Sequence, residues 1–277
     1  MNEIALILLL LSFNVTTLLA QPNSDKILKE GQLLFHLEKA SWYGTDEFLS
    51  KFPEKRDRIG GYLSYEGDDG FIYNIFFDKN KHNEIITRFQ FDNLPLSTPR
   101  FIDTLNHVPT QKEKDLITIR QDALERVNSN SDHFFTFYEN TSYNFIPLIT
   151  GNERIVYIIT GPQTSGVILI GNDYLLKYNS ENKFISKEKI HNSLVQISTD
   201  IDSEDQTIAT MHSHVISDII DPTDICTLLL YKDFVEWKQH YVISKNYVSI
   251  FDVEKEELLI MKRKVWEKIA KSRNKNK

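Results

Sequence analysis

The sequence predicts an α+β protein, and three observations carry that prediction. Helical periodicity recurs near both ends and once in the interior, short runs rich in β-branched and aromatic residues fill the rest, and Gly, Asn and Pro separate those runs. The 277 residues are 41% hydrophobic and 26% charged, the balance of a folded chain. That length allows one large domain or two small ones. Three segments are expected: a signal peptide over 1–20, a helix-and-meander region over 24–95, and a larger α+β region over 108–277.

The opening MNEIALILLLLSFNVTTLLAQPNSDK has an apolar run from Ile4 to Phe13, a polar break at Asn14 and a cleavage position after Ala20. This is the build of a secretory signal. The run is shorter than the roughly 20 residues that a spanning helix needs, and no later segment is long enough. A secreted or periplasmic protein is therefore expected, with no membrane span after signal removal. Its single cysteine, Cys226, cannot form an intrachain disulfide, so the fold must rest on its core. A net charge of −7 argues against a nucleic-acid partner, which needs a basic stripe to neutralise phosphates. Basic residues gather only from Lys262 to Lys277.

Taken in order, LKEGQLLFHLEKASWYGTDEFLSKFP predicts two short helices: Leu33, Leu34 and Leu37 share a face, Thr45 or Asp46 caps the second helix, and Pro53 stops it. GGYLSYEGDDGFIYNIFFDKNKHNEIITRFQFD alternates as a three-stranded meander with turns at Gly67 to Gly70 and Asn80 to Asn83. Asn93 to Thr110, with Pro95, Pro99 and Pro109, reads as a connection. Leu116, Ile119, Ala123 and Val127 then mark a helix, with Thr110 and Glu113 spaced as a capping box. The runs DHFFTFYE, YNFIPLIT, RIVYIIT, GVILIG and DYLLKYN read as successive strands. A polar loop from Ser198 to Gln206 leads to the strand TIATMHSHV, a helix opened by Pro222, the hairpin HYVISKNYVSIFD and the strand ELLIM. The closing helix KRKVWEKIAK reads as solvated, with Val265, Trp266 and Ile269 turned inward; contact with an anionic surface or a partner is the alternative.

Chemistry concentrates between Thr210 and Tyr231. Residues i and i+2 of a strand share a face, so His212 and His214 stand side by side and can take two positions on one zinc ion. The loop Val215 to Thr223 is long enough to return a carboxylate; Asp224 leads, with Asp218 and Asp221 as rivals. The same DPTD stretch is equally a helix start, with Asp221 as N-cap, Pro222 at the first helical position and Asp224 reaching back to the cap. His191 is a candidate third imidazole or an ordinary lone histidine. Cys226 reads as a small buried hydrophobe.

The order of strand ending in His-Ser-His, loop, Asp at a helix start and paired strands resembles the JAMM/MPN metalloprotease fold. That resemblance implies zinc held by His212, His214 and Asp224, hydrolysis of a peptide or amide substrate, and an upstream Glu accepting a proton from the attacking water. No Glu stands in the family's Glu-then-Gly strand context; Glu153, before RIVYIITG, is the remaining candidate by position along the chain, or else a solvated residue of the turn Gly151-Asn152-Glu153, while Asp221 stands where the family has a serine and Ser217 is the substitute. The phrases GNDYLLKYN, KIHNSL, HSH and TDICTLLLY also look like an uncharacterised group of exported Bacteroidetes proteins, which implies export and no activity. The expectation is an exported zinc-binding, JAMM-like hydrolase, active or inactive. A non-catalytic binding or structural protein of the envelope is the alternative.

Overall fold

The structure, a computed structural model, describes residues 24–80, 84–93, 97–199 and 209–275. The expected signal peptide lies outside them. The described residues form four α-helices and fourteen strands, which bears out the α+β class.

Helix α1, Ser24–Lys51, is one continuous helix where the sequence suggests two. The break expected near Gly44 fails because Thr45 turns its hydroxyl back to Ser41 O at 2.7 Å rather than capping a new helix. At Gly44 a Cβ would collide with the Asn74 side chain of the neighbouring sheet. A 3-10 turn, Pro53–Arg58, follows the helix.

Strands β1 (Ile59–Glu66), β2 (Ile72–Asp78) and β3 (Ile85–Phe91) form the expected antiparallel meander. The segment taken as a connection adds a short fourth strand, β4 (Phe101–Asp103), beside β3. Strand β2 is buried on both faces: Phe76 packs with Phe48 and Leu37 of α1, while Ile75 and Phe77 meet Leu116 and Ile117 of helix α2, Gln111–Ser129. The predicted capping box of α2 is present, with Glu113 N bonded to Thr110 Oγ1 and Thr110 N to Glu113 Oε2.

The second sheet has the order β5 (Thr141–Thr150), β6 (Glu153–Pro162), β8 (Tyr174–Tyr178), β9 (Phe184–Lys189), all antiparallel. Strand β7 (Val167–Gly171) leaves that sheet and pairs instead with β10 (Leu194–Ser198). Residues 132–139, expected as a strand, form a loop. Asn130 ends α2 in the left-handed conformation, and its amide binds both the Phe135 N–H and C=O, satisfying the polar groups that a strand would have paired. Phe134 and Phe135 pack on Tyr174 instead.

The third sheet runs β11 (Ala209–Ser213), β12 (Gln239–Ile243), β13 (Tyr247–Asp252), β14 (Glu257–Lys262). Strands β11 and β12 are parallel, which requires a crossover. Helix α3, Pro222–Leu230, lies within that crossover. Nearly all its residues are buried because it is covered on two sides: Ile225, Leu228 and Leu229 pack with Ile168, Ile170, Val242 and Phe251, while Cys226 and Leu230 join the α1 core. One apolar cluster thus spans Leu34, Phe76, Ile146 and Cys226, drawn from both regions of the chain. Helix α4, Arg263–Lys275, closes the chain against β13 and β14.

Candidate metal centre

Strand alternation places His212 on the buried face of β11, with Met211 and Ser213 exposed on either side. His214 follows directly, its N–H bonded to Ile243 O at 3.0 Å, so the parallel ladder extends one step and keeps both imidazoles on one face. Asp224 occupies the third position of α3, and its Oδ2 accepts from Asp221 N at 3.0 Å. The two readings of this aspartate are compatible: Oδ2 ties the helix start and also faces His214, while Oδ1 faces His191 and His212.

A third imidazole comes from the turn between β9 and β10. The turn after β7 and this one are stitched together by Asn172 N to Ser193 O at 3.0 Å and Ile190 N to Asp173 O at 2.9 Å. Gly171 permits the approach, since its φ of +100° suits glycine and a Cβ would meet the Ser193 carbonyl. His191 is thereby carried over the two histidines of β11. Its neighbours in sequence form no period that singles it out; the pairing of β7 with β10 decides its position.

The four side chains offer ligand atoms that lie within 4.8 Å of one another. His191 Nε2 is 3.0 Å from His214 Nε2 and 3.2 Å from Asp224 Oδ1; Asp224 Oδ2 is 3.2 Å from His214 Nε2, and Asp224 Oδ1 is 3.6 Å from His212 Nε2. Four donors placed tetrahedrally at the usual zinc bond lengths stand roughly 3.3 Å apart. The closest donor pairs, 3.0 to 3.6 Å apart, have that spacing, within a set that spans up to 4.8 Å.

Hydrogen bonding on the outer side of the rings points the same way. His214 Nδ1 lies 2.9 Å from Ile219 O, which can only accept, so Nδ1 carries the proton and Nε2 presents a bare lone pair. His191 Nδ1 lies 3.3 Å from the Asp173 carboxylate but makes no hydrogen bond. With His191 Nε2 only 3.0 Å from His214 Nε2, either a metal ion or a proton on one of the rings must lie between the two nitrogens. His212 Nδ1 contacts His240 Nε2 at 2.7 Å, and His240 Nδ1 contacts Thr210 Oγ1 at 2.8 Å. On the inner side, His212 Nε2 and Asp224 Oδ1 are buried without a hydrogen-bond partner. Such orphaned atoms are costly in the absence of an ion.

The charge distribution is that of a cation site. Asp224 is 1% exposed, and His191, His212 and His214 are 8%, 9% and 6% exposed. Burial favours a neutral carboxyl, yet the surrounding imidazoles, His191 first, hold Asp224 well below the usual carboxylate range. Burial also disfavours a charged His191, but Asp224 and Asp173 overcome it and lift its pKa to about 11. His212 is pushed down to about 4 by burial and by the adjoining rings, and His240 to about 3 by burial and His212. One proton on His191 therefore supplies, without metal, the positive charge that Asp224 demands.

Of the expected residues, His212, His214 and Asp224 converge, and His191 joins them. Asp221 supports the cluster from behind, its Oδ2 2.7 Å from Ser217 Oγ and 3.5 Å from His214 Nδ1; burial and Asp224 raise its pKa to about 6. Ser217 lies 2.7 Å from His214 Nδ1, on the outer side of the ring. Asp218 is engaged elsewhere, by Asn246 Nδ2 at 2.8 Å. Cys226 is fully buried among apolar groups, its thiol pushed well up by burial. Glu153 is not brought to the cluster. It begins β6, exposed, beside a hollow of about 500 Å³ lined by Lys26, Lys29 and Glu30 of α1. Only the opposite end of β6 nears the site, where Thr160 N donates to Asp173 Oδ1 at 3.0 Å, and roughly 23 Å of strand lies between the two ends.

Comparison of the chain with protein-family models, with curated proteins and with solved structures finds no match.

Proposed function

We propose that the protein is a metalloprotein that holds one divalent transition ion, zinc first, between His191, His212, His214 and Asp224. The observation that carries this reading is the convergence of the three imidazole Nε2 atoms on Asp224, with Nδ1 of His212 and His214 engaged on the outer side. A set of three imidazoles and one carboxylate suits zinc, and also iron, nickel and copper, better than calcium or magnesium. Four protein donors close a tetrahedral sphere, which is how structural sites are built; catalytic sites keep one position open. A non-catalytic role is therefore supported best, with the ion cross-linking the β9–β10 turn, the end of β11 and the start of α3.

Hydrolysis of a peptide or amide, the activity that the JAMM/MPN resemblance implies, is the second reading. It is favoured by a small cleft lined by His191, Asn192, Ser193, His212, His214 and Val215, through which a fifth donor can approach. A bound ion supplies Lewis-acid polarisation of a carbonyl. Asn192 and Ser193, at the cleft, are the groups available to orient such a carbonyl by hydrogen bonding. Export through residues 1–20 belongs to both readings and sets the substrate or partner among envelope components.

Elemental analysis of the purified protein beside a His212→Ala, His214→Ala double variant tests the site. One equivalent of metal in the parent and none in the variant is expected; equal content in both removes the proposal. Cobalt substitution then separates the readings, because intense visible bands mark a four-coordinate ion and weak ones an expanded sphere. Peptidase activity that disappears with the metal would make the hydrolytic reading the correct one.

A further inference from the structure

Charge is distributed very unevenly along this chain. Residues 262–277 hold eight basic side chains and one acidic one, a net of +7 in a protein whose total is −7, so residues 1–261 carry −14. Lys262 ends β14, and residues 263–275 form helix α4. Such asymmetry points to an acidic partner for the terminal helix alone.

Helix α4 does not bury the face that its sequence suggests. Trp266 is half-buried, but Val265 is 48% exposed and Ile269 42% exposed, one turn apart on a common strip. Lys264, Lys268 and Lys271 form a second, exposed row at helical spacing alongside it. None of these three lysines makes an ion pair among the described residues; Arg263 does, with Glu267 at 3.1 Å. At the foot of the helix an open hollow of about 670 Å³ is bordered by four basic side chains, Lys245, Lys262, Arg263 and Lys264, and by two acidic ones, Asp218 and Glu267.

We propose that α4 docks on the surface of an anionic lipid bilayer, lying parallel to it. The lysine row meets the headgroup phosphates, and Val265 and Ile269 enter the boundary with the acyl chains. An apolar strip flanked by lysines is the arrangement that interfacial helices use, since the lysine stems lie along the apolar boundary while the ammonium groups reach the phosphates. A nucleic acid would use the same lysines but gives Val265 and Ile269 nothing to bury against. The proposal does not depend on the metal centre, which lies on other elements.

Co-sedimentation of the intact protein with vesicles tests it. Binding is expected to vesicles of equal parts phosphatidylcholine and phosphatidylglycerol, and not to phosphatidylcholine alone. The triple variant Lys264→Glu, Lys268→Glu, Lys271→Glu should weaken that binding by about 100-fold or more, at about 1 kcal/mol for each lysine near the surface. Val265→Asp with Ile269→Asp should weaken it as well. Circular dichroism and metal content show whether each variant is folded. No binding to the anionic vesicles, equal binding to both vesicle types, or unchanged binding by the folded charge variant overturns the proposal. Binding of duplex DNA by the parent, with no effect of the Val265 and Ile269 changes on either ligand, also overturns it, in favour of a nucleic-acid partner.

Discussion

Individual side chains determine whether the cluster presents lone pairs or protons. His240 is fully buried on β12 and touches His212, one of the proposed ligands, through a 2.7 Å contact. Replacing it by Phe leaves His212 Nδ1 without a partner and frees the ring to take the wrong tautomer. His240→Phe should lower metal affinity by about 10- to 100-fold, as changes behind metal ligands do; chelator competition measures it. Unchanged affinity would mean that His240 is only packing. A second buried group, Glu38, adds its own component to the pH dependence of stability. Burial raises the Glu38 pKa from 4.5 to about 7 against the opposing pull of Arg120. The folded chain thus holds this proton more tightly than the unfolded chain does. The resulting stabilisation is complete below the unfolded value and is lost as pH rises through about 7. Across that interval it amounts to about 3 kcal/mol at most. Denaturant titrations of Glu38→Gln should lack this component, and identical pH slopes in parent and variant would contradict it.

At the scale of elements, the site depends on two close approaches. A Cβ at Gly31 of α1 would stand 2.6 Å from Ile225 Cβ and 3.0 Å from Pro222 O, at the first turn of the helix that bears Asp224. Gly31→Ala should therefore destabilise the protein by about 1–3 kcal/mol through overpacking and weaken metal binding together with it. Gly171→Ala acts on the other side, where the left-handed φ and the Ser193 carbonyl leave no room for a methyl group. It should displace His191 more than His212 or His214. Thermal unfolding with and without metal reads both effects, and a Gly171→Ala protein with full metal affinity would show that His191 is dispensable. The capping box of α2 is an element whose start was legible from Thr110 and Glu113, yet its larger role was not. Glu113 also receives Arg88 Nη2 at 2.8 Å and Tyr65 O–H at 2.9 Å, which anchors α2 to the meander. Those partners come from strands far away in sequence.

For the molecule as a whole, the proposed ion bridges three segments that are distant in sequence, so folding and binding should be linked. Saturation at about 1,000 times the dissociation constant would stabilise the native state by about 4 kcal/mol. Chelation should lower the unfolding temperature of the parent and leave the His212→Ala, His214→Ala variant unmoved; an unshifted parent would exclude a cross-linking role. Local pattern by itself determined the α+β class, the meander, the capped helix α2 and the shared face of His212 and His214, because period-2 alternation and helix-start chemistry act over a few residues. It failed where local signals compete with packing. Gly44 reads as a break but closes on Asn74 inside a continuous helix, and the aromatic run around Phe134 reads as a strand but folds as a loop onto Tyr174. Tertiary structure alone decided that β7 pairs with β10, that His191 completes the cluster, that Glu153 stands at the far end of its strand, and that Val265 and Ile269 face outward. The physical reason is common to all four: each is set by which distant surfaces meet, and no window of neighbouring residues contains that information.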